Sequence, residues 1–149
     1  MTKHELIQNL INARALRTEE EFHIFEDSMA ALNGILTADD IEAVTKAFYD
    51  DTGDDEVMFG LVHLLEELND EEALRQIALC TPNMTDAKDW AMTLNKRILN
   101  SQPFLKMYRK VIKSLDAASK EKILALLEDV KKDNPERFSE KIDFFEKGV

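Results

Sequence analysis

Acidic side chains are concentrated in one short stretch in the first half of the chain. Between residues 50 and 56, five of the seven positions are carboxylates: Asp50, Asp51, Asp54, Asp55 and Glu56. Clustered carboxylates can bind calcium, and the best-known arrangement is the EF-hand loop. With Asp50 at the first position of that loop, Asp55 falls where it needs glycine and Leu61 where it needs glutamate. The spacing therefore does not predict an EF-hand.

A second group that could do chemistry is His63 with Glu66 and Glu67, which follow three and four residues later. This spacing could supply metal ligands from one face of a helix, and it supports a minor hypothesis of an enzyme or ion-dependent protein. The sequence lacks the second ligand motif that helical metal sites use. We therefore expect no metal site, and we interpret His63 as a buried histidine hydrogen-bonded to a neighbour.

Motifs for nucleophilic catalysis are also missing from the sequence. There is no Gly-x-Ser-x-Gly and no glycine-rich phosphate loop. The one cysteine, Cys80, follows Ile77-Ala78-Leu79 and is interpreted as a small buried apolar residue. A lone cysteine excludes an intramolecular disulfide and a cysteine zinc site. We expect a protein that is not an enzyme and that needs no cofactor.

The element that must position the acidic stretch is the segment directly after it. Eight of the twelve residues from 57 to 68 are large and apolar, which predicts a helix buried on most of its circumference. Asp54 is the predicted N-cap, and one or two carboxylates suffice for capping and for the helix dipole. This central helix is expected to be the most buried element, with four leucines inside: Leu61, Leu64, Leu65 and Leu68.

The whole chain is expected to be an all-α fold in one domain, residues 1–149. Only four glycines and three prolines interrupt it, and no segment alternates as a strand would. Capping signals predict eight or nine helices. Their starts pair off into helical hairpins of about thirty residues, a spacing that fits a solenoid or an irregular bundle. The predicted antiparallel hairpins span residues 2–33, 37–69, 70–100 and 102–133.

Individual helix starts follow from capping residues. Thr18 precedes three carboxylates, Glu19, Glu20 and Glu21, which form a second acidic cluster at the start of the second helix. That helix is expected to turn its regularly spaced apolar residues inward, beginning with Phe22 and Phe25. Thr2 is the predicted cap of the first helix and the pair Asn69-Asp70 that of the fifth. Asp86 is the predicted cap of the sixth helix and Ser119 that of the eighth.

Charge is divided unequally along the chain. Residues 1–75 hold 5 Lys/Arg and 19 Asp/Glu, whereas residues 76–149 hold 14 and 11, so the halves carry −14 and +3 of the net −11. Such a field repels nucleic acid and attracts basic partners. No apolar run is long enough to span a membrane, and the polar N-terminus does not resemble a signal peptide. We expect a cytoplasmic protein that binds neither nucleic acid nor membranes.

The segment from Asp54 to Glu66, DDEVMFGLVHLLE, resembles a motif of bacterial immunity proteins. These are the antitoxins of polymorphic-toxin and contact-dependent growth inhibition systems, and the similarity is closest to the helical family known as immunity protein thirty. It covers residues 50–68 and, more loosely, the helical remainder. The resemblance implies a small cytoplasmic protein that binds the C-terminal domain of one cognate toxin and blocks it. Many such toxins are nucleases with basic active-site clefts.

The charge pattern favours the same function independently, because an acidic surface could replace phosphates in a basic cleft. The predicted toxin-binding residues are the two acidic clusters, with the first preferred: Asp50, Asp51, Asp54, Asp55 and Glu56, then Glu19, Glu20 and Glu21. The alternative is a general helical protein–protein interaction module, an adaptor or regulatory subunit with another basic partner. A partner that is not a toxin would favour that alternative.

Overall fold

The computed structural model describes residues 1–68 and 70–147. These residues contain nine α-helices and two short 3₁₀ turns, Ala38–Asp40 and Thr81–Asn83, and none of them forms a strand. The all-α prediction is thus confirmed; residue 69, at the end of one predicted hairpin, lies outside the described residues. The helices are α1 (Lys3–Ala13), α2 (Glu19–Leu32), α3 (Ile41–Thr45), α4 (Asp55–Glu66), α5 (Glu71–Cys80), α6 (Lys88–Leu99), α7 (Gln102–Lys113), α8 (Ala117–Asp133) and α9 (Pro135–Glu146).

Most predicted helix caps are present. The side chains of Thr2, Thr18, Asp54 and Asp70 each accept a hydrogen bond from the backbone N–H three residues later. The prediction for α8 is wrong, since Asp116 rather than Ser119 is its cap. The Asp116 carboxylate accepts from both the backbone N–H and the hydroxyl of Ser119, which starts the helix almost one turn earlier.

The helices stack in two rows. On one side α1, α3, α5 and α7 contact one another in order, and on the other side α2 packs on α4 and α6 on α8. Long side chains connect α4 to α6: the rings of Phe59 and Trp90 are 6.0 Å apart, and Arg97 Nε lies 2.8 Å from Glu66 Oε2. Among the predicted hairpins, α1 and α2 pair closely, whereas α3 touches α4 and α5 touches α6 only weakly. The helices from α3 to α6 instead pack on helices two positions away in the chain, as in a solenoid.

One continuous apolar cluster runs through both rows, from Leu6 in α1 to Phe145 in α9. In α4 five of twelve residues are buried, whereas in α6 six of twelve are buried, so the expectation that α4 is the most buried helix is wrong. Leu61, Leu64 and Leu65 are inside, but Leu68 is only half-buried beyond the end of α4. One side of α4 is open to solvent, with Asp55, Glu56, His63 and Glu66 exposed.

A buried polar network ties three parts of the fold together. The Tyr108 hydroxyl donates to Asn95 Oδ1 at 2.5 Å, and the Asn95 amide donates to Thr81 Oγ1 at 3.1 Å. Burial raises the pKa of Tyr108, so the hydroxyl keeps its proton and remains a donor. Each polar group thus has a partner where an unpaired one would be costly. Separately, no helix in the described ranges has the length and apolar character needed to cross a membrane.

Candidate functional site

The acidic corner, defined as Asp50, Asp51, Asp54, Asp55 and Glu56, is held against the turn between α1 and α2. The Thr52 hydroxyl donates to the Arg14 carbonyl at 2.9 Å, and the Gly53 N–H donates to the Ala15 carbonyl at 2.7 Å. A Cβ at Gly53 would lie only 2.6 Å from the Leu16 carbonyl oxygen, so only glycine allows this approach. The corner is therefore fixed to the fold at its centre.

Asp50 has a structural function that no local pattern indicated. Its carboxylate accepts hydrogen bonds from the backbone N–H groups of Asp89, at 3.0 Å, and Trp90, at 3.3 Å, in the first turn of α6. The N-cap of that helix is Ala87, which has no side-chain acceptor. The prediction of Asp86 as the cap is wrong, because Asp86 pairs with Arg14 at 3.2 Å instead. Asp50 therefore caps α6 from a distant part of the chain.

Arg17 brings the two predicted acidic clusters together. Its guanidinium Nη2 lies 2.7 Å from Asp51 Oδ2, and its backbone N–H donates to Glu21 Oε1 at 3.0 Å. Both partners of the Arg17–Asp51 pair are well exposed to solvent. Exposed pairs of this kind contribute little to stability. The two contacts of Arg17 therefore place the clusters side by side, but one guanidinium does not neutralise all of their negative charge.

The other predicted site residues differ in whether they have hydrogen-bond or ion-pair partners within the chain. Asp54 caps α4, accepting from the Val57 N–H at 3.1 Å, and Glu19 lies 3.6 Å from the His23 ring nitrogen. Three carboxylates are exposed and have no hydrogen-bond or ion-pair partner in the described ranges: Glu20, Asp55 and Glu56. These three, together with the exposed Glu19, are open to a partner molecule.

The α2–α4 face, defined as the exposed residues of these two helices, has an unusual charge composition. α2 carries five carboxylates and α4 three, and neither helix contains a lysine or arginine. The helices approach closely through Met29 and Gly60, where a Cβ on the glycine would lie 3.1 Å from the Met29 sulfur. Glu26 and Asp27, which the sequence analysis did not select, are also exposed on this face. The acidic surface thus extends well beyond the corner.

His63 lies on the outward side of α4, so the prediction that it is buried is wrong. Its Nδ1 is 3.3 Å from Glu66 Oε1, and its ring stands edge-on to Phe59 with centroids 5.1 Å apart. Glu66 also accepts from Arg97. Within the described part of the chain, no three His, Cys, Asp or Glu side chains are grouped as a metal ion would require.

A cleft of about 460 Å³ lies beside the corner, between α1, α3 and α5. Its lining includes Arg14, Lys46, Cys80 and Asp86. Burial, with a smaller contribution from nearby Glu42, raises the pKa of the Cys80 thiol to about 11. The thiol therefore stays protonated at neutral pH and is a poor nucleophile. The interpretation of Cys80 as a small buried residue is confirmed.

The fold and this surface define a class: an all-α protein whose most distinctive feature is a broad acidic face. A family model, Immunity protein 30, matches residues 12–108, and the chain belongs to that family. The match runs from the end of α1 into α7 and includes every predicted site residue. Membership supports an immunity role and suggests an inhibitor rather than an enzyme. No curated protein and no solved structure matches the chain.

Proposed function

We propose that this protein neutralises a cognate toxin by binding its C-terminal domain in the cytoplasm, and that the toxin is an RNase or DNase. The observation that carries the proposal is the α2–α4 face, which presents seven exposed carboxylates from two helices that contain no lysine or arginine. A nuclease cleft is basic because it holds phosphates, so an acidic face is complementary to it. Blocking that cleft would stop the reaction.

The contacts are proposed to divide between two kinds of carboxylate. Glu19, Glu20, Asp55 and Glu56 are exposed and would meet basic side chains of the toxin directly. The others, Asp50, Asp51, Asp54 and Glu21, are already hydrogen-bonded within the chain. They would hold the corner in shape and add to its negative field. The continuous core supports the further proposal that residues 1–149 act as one unit.

Rapid capture is the expected advantage of this charge distribution. Complementary fields steer two proteins together and raise association rates, most strongly at low ionic strength. An inhibitor of a nuclease must act before damage accumulates, so a fast association rate matters more than it does for a permanent subunit. The well-supported helix rows would present the face without large rearrangement.

The direct test starts from the neighbouring gene, which we expect to encode a toxin with the target C-terminal domain. We expect the two proteins to co-purify and the nuclease activity of the toxin domain to fall in proportion to added immunity protein. Absence of a complex at micromolar concentration would overturn the proposal. A partner that is not a secreted toxin would favour the alternative of a general interaction module.

The mode of inhibition can be tested with the same proteins and an uncleavable oligonucleotide. If the acidic face occupies the nuclease cleft, the oligonucleotide should compete with the immunity protein and raise its apparent Kd. An apparent Kd that does not change with saturating oligonucleotide would show binding outside the cleft.

A further inference from the structure

Three aromatic rings that are at least partly exposed are covered by the chain's own arginines. The guanidinium carbon of Arg14 lies 4.3 Å from the centre of the Tyr49 ring. Arg97 lies in the same way 5.2 Å from Phe59, and Arg109 lies 4.8 Å from Phe144. Each distance is within the range of a cation–π interaction. Three separate surfaces thus use the same pairing of ring and guanidinium.

Phe22 departs from this pattern. The sequence predicted it to face inward, but Phe25 takes the buried position and Phe22 is 37% exposed. The His23 ring stands edge-on to it at 5.7 Å, and no lysine or arginine lies over it in the described ranges. The other half-exposed ring without a cation is Phe104, which lies on α7, a helix whose charged residues are all basic.

The surroundings of Phe22 have the opposite charge. Glu19 precedes it by three residues and Glu26 follows it by four, so both lie beside it on the helix surface. Glu26 is exposed and has no partner in the part of the chain that is described. A cation at this point would gain from the ring face and from the carboxylate together.

On α4, which packs on α2, a similar combination of aromatic ring and carboxylate is occupied by Arg97 of α6. Its guanidinium lies over the Phe59 ring and donates to Glu66 at 2.8 Å. Arginine suits this double contact better than lysine, because its planar group stacks on rings, is more weakly hydrated than an ammonium and forms directional hydrogen bonds. Phe22 with Glu26 repeats this combination of ring and carboxylate on α2 without an arginine of its own.

We infer that Phe22 and Glu26 form the docking point for an arginine on the basic surface of the toxin. The inference rests on the proposed function and adds to it an anchor outside both predicted clusters. Because α2 has no lysine or arginine and no other part of the described chain places one over Phe22, the cation is left to be supplied by the partner. A central aromatic contact of this kind commonly dominates the energetics of an interface.

The test is the affinity of the purified toxin domain for Phe22→Leu and Phe22→Tyr variants. Leucine keeps apolar area but removes the π face, so Kd should rise about 5- to 30-fold, as expected for loss of a cation–π contact. Tyrosine keeps the ring, so Kd should stay close to that of the unchanged protein. Thermal melting of each variant checks that the fold is intact.

Phe144→Leu is the matched control. Phe144, on α9, is 42% exposed, but its ring is already covered by Arg109 of α7. This control variant should leave Kd unchanged. In a second pair, Glu26→Gln should weaken binding, whereas its control Glu140→Gln should not. An unchanged Kd for Phe22→Leu, or an equal rise in Kd for Phe22→Leu and Phe144→Leu, would overturn this inference but leave the proposed function intact. Failure of the unchanged protein to bind the toxin domain would overturn the proposed function, and the inference with it.

Discussion

The carboxylates of the C-terminal helices and those of α2 and α4 have different partners. In the C-terminal part Asp129, Asp133 and Asp143 lie 2.9, 2.5 and 2.9 Å from lysine ammonium groups of the same chain. On α2 and α4, only Glu66 forms an ion pair with an arginine, and that arginine belongs to α6. α8 and α9 also carry six Lys/Arg beside their eight carboxylates, whereas α2 and α4 carry eight carboxylates and no Lys/Arg, so α2 and α4 leave more negative charge uncompensated.

The comparison separates two uses of charge in one molecule. The Lys88–Asp129 and Lys96–Asp133 pairs bridge α6 and α8, and Lys131–Asp143 bridges α8 and α9, so these charges support the stacking of helices. The open carboxylates of α2 and α4 repel one another and contribute little to folding. We propose that these open carboxylates serve to bind the toxin.

The largest expected effect comes from reversing charge in each region separately. The test variant carries Glu20→Lys, Asp55→Lys and Glu56→Lys, and the control carries Glu121→Lys, Glu136→Lys and Glu140→Lys, all exposed residues. Both change net charge equally. The test variant should associate with the toxin domain about tenfold or more slowly at low salt, with a flatter salt dependence, because steering is lost. Stopped-flow measurement of equal slowing in both would mean that only total charge matters.

The next effect concerns stability within the acidic corner itself. Asp50→Ala should lower the free energy of unfolding by about 0.5–2 kcal/mol, because the first turn of α6 loses its cap. Asp55→Ala should leave that free energy unchanged or slightly higher, since Asp55 has no partner and has acidic neighbours. Urea denaturation of both variants measures the difference. Equal values would show that the Asp50 contacts with Asp89 and Trp90 are energetically unimportant.

A smaller effect is expected from the lysine–aspartate ion pairs of the C-terminal part. A double-mutant cycle with Lys96→Ala and Asp133→Ala should give a coupling energy of about 0.2–1 kcal/mol, as for other partly exposed ion pairs. The coupling should shrink as salt is added. The same cycle with Lys96→Ala and Glu140→Ala serves as its control and should give none. Coupling in both cycles would indicate a general field rather than a specific pair.

Local features of the fold could be predicted from the sequence because they act over a few residues. The caps at Thr2, Thr18, Asp54 and Asp70 each bind a backbone group three residues away, and helical periodicity indicated an all-α chain. The stacking order of the helices depends on contacts between residues far apart in the chain, which neither capping residues nor helical periodicity indicates. Only the solenoid alternative, drawn from the spacing of helix starts, anticipated it.

The candidate site shows the same limit more sharply. Asp50 caps a helix that begins 38 residues later, and a capping rule that looks three residues ahead cannot find it. His63 and Phe22 fit apolar or half-apolar helical stripes, so periodicity placed them inside. Their exposure depends on which neighbour each helix packs against. What the sequence did contain was the excess of carboxylates, because charge is a property of residue type alone.

The central claim is that the toxin covers the α2–α4 face, and carboxylate footprinting tests it most directly. Carbodiimide-coupled labelling with glycine ethyl ester, read by mass spectrometry, would compare the free protein with its complex. We expect protection of the open carboxylates on the face, Glu20, Glu26, Asp55 and Glu56, and unchanged labelling of Glu121, Glu136 and Glu140. Labelling of the α2–α4 carboxylates that is unchanged in the complex, with protection elsewhere, would contradict the account.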